Sequence, residues 1–245
     1  MIFTDLLKNY LFKQQNMSDS GNIKMEFAVQ IRGVGCVEAI RNALSGVGTV
    51  TIDADRGSVL IETSLPWLEI DKRIEATGRR VVLTGFGGQS AVAMVEHGNE
   101  STNVRGVVRF CSISNVAGQK GAVVDGTIDG LTSNGSYQLN VHECGDISEG
   151  CQSVGDVLDS NNITSDASGR ATVRFVNHRL EVSDLIGRSV VIAETDSTEH
   201  LHRLSCGIIA RSAGIFENYK KICACDGTTI WDERNKSSPV NSKDR

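Results

Sequence analysis

Proline is nearly missing from this chain and aromatic side chains are scarce: 2 Pro stand against 25 Gly, and Phe, Trp and Tyr make up only 5% of the residues. That imbalance argues against a helical bundle and for many short strands joined by tight turns. Missing too is any long run of Lys or Arg, and the net charge is −5, so neither nucleic acid nor an anionic membrane is an expected partner. No stretch approaches the ~18 uninterrupted apolar residues of a membrane span. The opening MIFTDLLKNYLFKQQN contains no Arg, and Asp5, Lys8 and Lys13 break up any signal-peptide core. Residues 1–22 therefore read as a loosely ordered N-terminal extension of a cytoplasmic protein, with Met17 as a second candidate start.

What is present sets the scale. The 245 residues, 40% of them hydrophobic, suffice for one large domain or two of ordinary size. The cysteines number seven, at 36, 111, 144, 151, 206, 223 and 225. An odd count strands a thiol in a secreted protein. In the cytosol it points to thiol chemistry or to binding of a soft metal.

Three segments follow the extension. Residues 23–88 read as a small α/β unit. KMEFAVQI is a strand; Val37, Ile40 and Leu44 mark one helix face; 49–64 is a hairpin turning at Asp55-Arg56-Gly57. Ser64 is the expected cap of a second helix, with Pro66 in its first turn and Trp67, Ile70 and Ile74 facing inward. RRVVLTGF closes the unit in the order β-α-β-β-α-β, which is ferredoxin-like. Residues 89–103 read as a linker. Residues 104–215 hold short strands between turn signals (VVRFCSI, AVVDGTIDGL, SYQLNVHE, RATVRFV, LIGRSVVIAE, SCGIIA), which predicts an antiparallel barrel or sandwich. Residues 216–245 are a polar, flexible tail.

The middle segment resembles the Cu/Zn superoxide dismutase domain, a Greek-key β-barrel. The likeness rests on GVVRF (106–110), DGTIDGL (125–131), VHECGD (141–146), Cys151, GRA (169–171), LIGRSVVIAE (185–194) and RLSCGII (203–209). With a ferredoxin-like domain before it and ICACDGTTIWDERN (222–235) after it, the whole chain resembles the three-domain family of copper chaperones for that dismutase. The resemblance implies a chaperone that docks on the dismutase as a heterodimer, delivers Cu(I) and promotes formation of the target's intrasubunit disulfide. A homodimer through the same face is the alternative assembly.

Departures from the dismutase pattern carry as much as the matches. The paired copper histidines of the family fall on Asn140 and His142, and another ligand position holds Ala193. The histidine-bearing zinc loop has shrunk to QSVGDVLDSNN, where Asp156 is at most a remnant. One ligand cannot hold Zn²⁺, so no zinc and no dismutase activity are expected, and His142 reads as a packed or hydrogen-bonded strand residue. Cys151 and Cys206 occupy the positions of the family disulfide, beside Arg203; two buried free thiols are the alternative. Cys111 and Cys144 read as packing residues. The implied docking face comprises Cys144–Ile147, Ile186–Arg188 and Gly207–Ala210, with Gly145, Asp146, Gly187, Arg188, Gly207 and Ile208 as its named members. Charge or bulk at Gly207 or Ile208 is expected to abolish docking and spare the barrel.

Chaperones of this family carry two cysteines in the first-domain loop where this chain has Ile31-Arg32-Gly33-Val34-Gly35-Cys36. A single thiolate is a poor site for Cu(I), which favours near-linear coordination by two sulfurs. Cys36 is thus at most a weak ligand, and the first domain reads as a docking or stabilising module. Cys223 and Cys225 are the expected Cu(I) ligands and thiol-exchange pair: alternate residues of an extended segment face the same way. No further cofactor site is expected. The rival functions are a metal-free dismutase-binding scaffold and a thiol oxidoreductase acting on the target disulfide.

Overall fold

The computed structural model describes residues 22–98, 103–113, 121–195, 202–218 and 229–232. They divide into two compact units. One contains 23–88 and the residues from 213 onward; the other contains 89–212.

In the first unit the elements run β1 (Ile23–Val29), α1 (Val34–Ala43), β2 (Thr49–Asp53), β3 (Ser58–Thr63), α2 (Trp67–Glu75) and β4 (Val81–Phe86). The sheet is antiparallel with strand order β2-β3-β1-β4. Side chains alternate across a strand, so Met25 and Phe27 of β1 pair with Ile61 and Val59 of β3 and are buried with them. Ile40 and Leu44 from the first helix, and Ile70 and Ile74 from the second, complete this core. The spacing of those four residues was the helix signal, and burial explains it. Ser64 does not cap α2. Pro66 takes the cap position without a side-chain bond, while the Leu65 N–H donates to Thr63 Oγ1 at 3.1 Å.

The second unit is a nearly closed antiparallel barrel. Its strands are β5 (Ser90–Val95), β6 (His97–Gly98), β7 (Arg105–Ser112), β8 (Ala122–Asp129), β9 (Ser136–His142), β10 (Val157–Thr164), β11 (Ala171–Asn177), β12 (Ser189–Glu194) and β13 (Arg203–Arg211), with a short helix α3 (Val182–Leu185) before β12. The order around the barrel is β10-β9-β12-β13-β5-β7-β8-β11, and β6 pairs with β13. Crossovers from β8 to β9 and from β11 back to β12 give it Greek-key connectivity. Val108 and Phe110, Leu139 and Val141, and Val190 and Ile192 point into one apolar core.

Three boundaries differ from the sequence reading. Residues 90–95, inside the expected linker, are a barrel strand bonded to both β7 and β13. The second half of the shortened loop, from Val157, is strand β10, paired along β9. At its far end the barrel gives out at Ser212, whose N–H donates to Ser90 O at 3.0 Å. From there Ala213–Ile215 runs along β4 of the first unit. Gly214 forms a parallel bridge to Phe86, the Phe86 N–H donates to Ala213 O at 3.3 Å, and the Ile215 N–H donates to Phe86 O at 3.0 Å.

Candidate functional site

Strand β9 places Leu139 and Val141 in the barrel core, so Asn140 and His142 project from the opposite face. Both are nevertheless fully buried, because residues 143–156 fold back over that face. The Cys144 N–H donates to Val154 O at 2.9 Å and the Glu143 N–H to Asp156 O at 3.1 Å. Arg203 Nη1 donates to Cys151 O at 2.6 Å. In register, Asn140 lies opposite Val191 of β12, and Val191 opposite Cys206 of β13. Cys151, Val154, Val191 and Cys206, with Ile147 against them, make a small apolar plug there.

This is where a dismutase would need imidazoles. His142 Nδ1 lies 2.9 Å from Gly155 O; since a carbonyl only accepts, Nδ1 carries the proton. Nε2 is then a bare lone pair, buried without a hydrogen-bond partner among the described residues. Burial holds the His142 pKa below its usual value; the Gly155 bond opposes that shift, Arg203 adds to it and Asp156 opposes it. Asn140 Oδ1 and Nδ2 are likewise buried without partners among the described residues. Ala193 sits opposite Gln138 and offers no donor atom, and Asp156 is exposed. Among the described residues no group of three or more His, Cys, Asp or Glu is placed to hold a metal ion.

Cys151 and Cys206 form a disulfide with Cα atoms 5.7 Å apart. It ties the 143–156 segment to β13 at the plug. Cys111 is buried as expected of a packing residue, and burial, with Asp125 adding to it, pushes its thiol far above the usual range. Cys144 departs from the expectation: it is a free, exposed thiol.

The residues expected to form a docking face come together. A Cβ added to Gly145 would stand 2.4 Å from Gly187 O and 3.2 Å from Ile208 Cγ2. Ser189 Oγ donates to Cys144 O at 2.7 Å, and Arg188 Nη1 donates to Glu143 O at 3.0 Å. Asp146 accepts from the Ser148 N–H at 2.9 Å, and its hydrogen bonds with Ser148 hold its carboxyl below the usual range. Ile186 and Ile208 project from this surface, 46% and 41% exposed. Gly207 is different. Its added Cβ would lie 1.9 Å from Met94 O, so a side chain there breaks the barrel rather than a contact with a partner; the expectation that bulk at 207 spares the fold is corrected.

Cys36 lies in the first turn of α1 and faces a cavity of about 400 Å³ lined by Gln30, Arg32, Thr77, Gly78 and Arg79. Arg79 Nη2 donates to its Sγ at 3.3 Å. The backbone at Arg32, then the Arg79 guanidinium, hold the Cys36 thiol below its ordinary value. No other cysteine belongs to the described part of this unit. One sulfur is half of the near-linear two-sulfur set that Cu(I) favours. Arg79 gave no signal in the sequence, because its partner lies 43 positions away. Cys223 and Cys225 lie outside the described residues.

The family described as Copper/zinc superoxide dismutase (SODC) matches residues 104–209. Over most of its length the chain is similar to proteins named "Copper chaperone for superoxide dismutase". The human one is 39% identical over 93% of this chain and 96% of its own length, and the rat one 38% identical over 86% and 89%. An Arabidopsis thaliana protein, "Copper chaperone for superoxide dismutase, chloroplastic/cytosolic", is 34% identical over 86% of this chain and 70% of its own.

Proposed function

The chain belongs to the family of copper chaperones for superoxide dismutase, and from that premise we propose how its parts divide the work. The protein is a copper chaperone that docks on Cu/Zn superoxide dismutase, delivers Cu(I) and promotes formation of the target's intrasubunit disulfide. The barrel docks in place of one dismutase subunit, through Gly145, Asp146, Gly187, Arg188 and Ile208, with Gly207 giving that face its shape. Cys223 and Cys225 carry Cu(I), since two thiolates on alternate residues can meet one soft ion. Cys36 contributes at most weakly, and the first unit, a ferredoxin-like domain in this reading, acts in docking and stability. No resident zinc and no dismutase turnover belong to this protein, and it works in the cytoplasm.

The exchange step conserves electrons. One thiolate of the target's dithiol attacks a Cys223–Cys225 disulfide, giving a mixed disulfide; its second thiolate then displaces the tail sulfur. The target's dithiol becomes a disulfide, and two electrons and two protons pass to the tail. Restoring the tail disulfide takes a two-electron oxidant of the dioxygen or peroxide class.

The observation that carries this reading is a barrel with an intact fold and an exposed Ile186–Ile208 surface, yet only one imidazole where a copper site would be. The test is activation of apo-dismutase by protein loaded with Cu(I). Activation by the wild type and none by a Cys223→Ser/Cys225→Ser double variant is the expected result. Equal activation by both would overturn the assignment of the tail. Stoichiometric Cu(I) binding against a competing chelator separates this reading from a metal-free scaffold and from a metal-free oxidoreductase.

A further inference from the structure

A carboxylate is buried in the first unit where no catalytic or metal site calls for one. Glu26 is 5% exposed, and strand alternation turns it away from the sheet face on which Met25 and Phe27 meet the helices. A buried carboxylate is costly unless donors surround it. Two are found: Ser58 Oγ donates to Oε1 at 2.8 Å, and the Phe216 backbone N–H donates to Oε2 at 2.8 Å. The second bond spans 190 positions and reaches the segment that leads into the tail.

That segment is fitted to its place. Phe216 is held at φ 62°, a left-handed conformation that a bulky residue adopts only under constraint. The Gly214 N–H donates to Glu217 Oε2 at 2.8 Å, closing the turn. On the sheet side, Gly85 leaves the space that the strap needs: a Cβ there would lie 2.3 Å from Gly214 O. Backbone pairing with Phe86, the missing side chain at 85 and the Glu26 carboxylate all act on the same five residues.

We propose that Glu26 is a positioning residue for the copper-bearing tail: it latches residues 213–217 onto the β4 edge and so fixes the point from which the chain runs on toward Cys223 and Cys225. The proposal rests on the reading of those cysteines as the Cu(I) carriers. Cys223 follows Phe216 by seven positions, a reach of at most about 25 Å. Unlatched, the tail would begin at Ser212, 11 positions before Cys223, and reach about 39 Å; beyond the cysteines the Asp232 carboxylate pairs with Arg80 at 3.3 Å, an exposed ion pair of little worth in water. Effective concentration falls roughly as the −3/2 power of tether length, so the longer tether alone costs about twofold, and loss of direction adds to it.

The experiment uses the full chain with three variants. Glu26→Ala removes the latch. Glu26→Gln keeps it, because the amide oxygen can accept from the Phe216 N–H while the amide nitrogen donates to the Ser58 hydroxyl. Gly85→Ala pushes the strap off from the other side and leaves the buried carboxylate in place, so the result does not hang on whether Glu26→Ala folds. Hydrogen–deuterium exchange at Ile215 and Phe216 should show protection in the wild type and Glu26→Gln, reduced at least tenfold in Glu26→Ala and Gly85→Ala. Cu(I) stoichiometry should be equal in all four proteins, and transfer to apo-dismutase at least twofold slower in the two unlatched ones. Exchange at 215 and 216 as fast in the wild type as in Glu26→Ala overturns the latch. Unchanged transfer after protection is lost overturns its positioning role. A wild-type protein that binds no Cu(I) overturns that role through the reading beneath it, and the exchange data identify this case because the latch is then still seen.

Discussion

His142 Nδ1–H donates a hydrogen bond to the carbonyl of Gly155, 2.9 Å away, and Nε2 keeps a buried lone pair with no partner among the described residues. The ring is a clasp holding the 143–156 segment against β9, and it works as a neutral group. Its folded pKa lies below the unfolded value, near 6.5. Between those two values the unfolded chain binds more protons than the folded one, so stability rises with pH in that window and falls as pH drops below about 6.5. Urea midpoints of the wild type should therefore decline from pH 7 to pH 5, above the range where most carboxylates titrate. His142→Gln should flatten that decline while starting from a lower stability at pH 7. An equally steep decline in the variant would assign the pH dependence to other groups.

The disulfide encloses a long loop, since Cys151 and Cys206 are 55 positions apart. In the chain-entropy account such a bridge stabilises by about 4 kcal/mol. Cys151→Ser/Cys206→Ser should lower barrel stability by an amount of that order, read by denaturant titration, and should speed exchange at Cys144 and Glu143. No loss of stability would mean that Arg203 and the plug hold the segment unaided.

Neighbouring positions 207 and 208 should separate folding from docking. Ile208→Glu leaves the barrel's melting behaviour close to wild type and weakens association with the dismutase by on the order of 100-fold, about 3 kcal/mol, because a buried interface tolerates no unpaired charge. Gly207→Val unfolds the barrel, since the new side chain has no room beside Met94 O. Analytical ultracentrifugation with apo-dismutase, beside thermal melts, reads both. Ile208→Glu that binds normally would move the docking face elsewhere.

Three single cysteine variants should divide the thiol chemistry. Cys36→Ser retains most activation of apo-dismutase, whereas Cys223→Ser and Cys225→Ser each lose it. One tail thiolate cannot chelate Cu(I), nor can it resolve a mixed disulfide. Equal losses in all three would instead indicate a shared site between Cys36 and the tail.

The first unit was legible because its signals are local: Ile40 and Leu44, or Ile70 and Ile74, lie on one helix face, and Asp55-Arg56-Gly57 breaks a pair of strands. The barrel's apolar strands were legible by alternation. Strand β10 was not, because Asp159, Ser160, Asn161 and Asn162 carry poor strand propensity. Its pattern is instead held by a polar network, in which Asn161 Nδ2 and Asn177 Nδ2 each donate to Asp159 Oδ2 at 2.7 Å. The neighbouring Gly87 and Gly88 made β5 look like linker. At the candidate site the lost ligands at Asn140 and Ala193 were legible only through the resemblance of their motifs to those of the dismutase family. The burial of the pair and the exposure of Cys144 depend on how residues 143–156 fold back, which no local pattern records. The Glu26–Phe216 bond joins residues 190 positions apart and leaves no trace in either segment.

The strap along β4 has a consequence for solubility. In the sheet order β2-β3-β1-β4 the last strand is an edge, and an open edge with free N–H and C=O groups is a template for adding another chain. Residues 213–215 occupy part of that edge. A protein cut before residue 213 would therefore lose more than its tail cysteines: it would uncover a sticky rim at Phe86, and its first unit would self-associate as concentration rises.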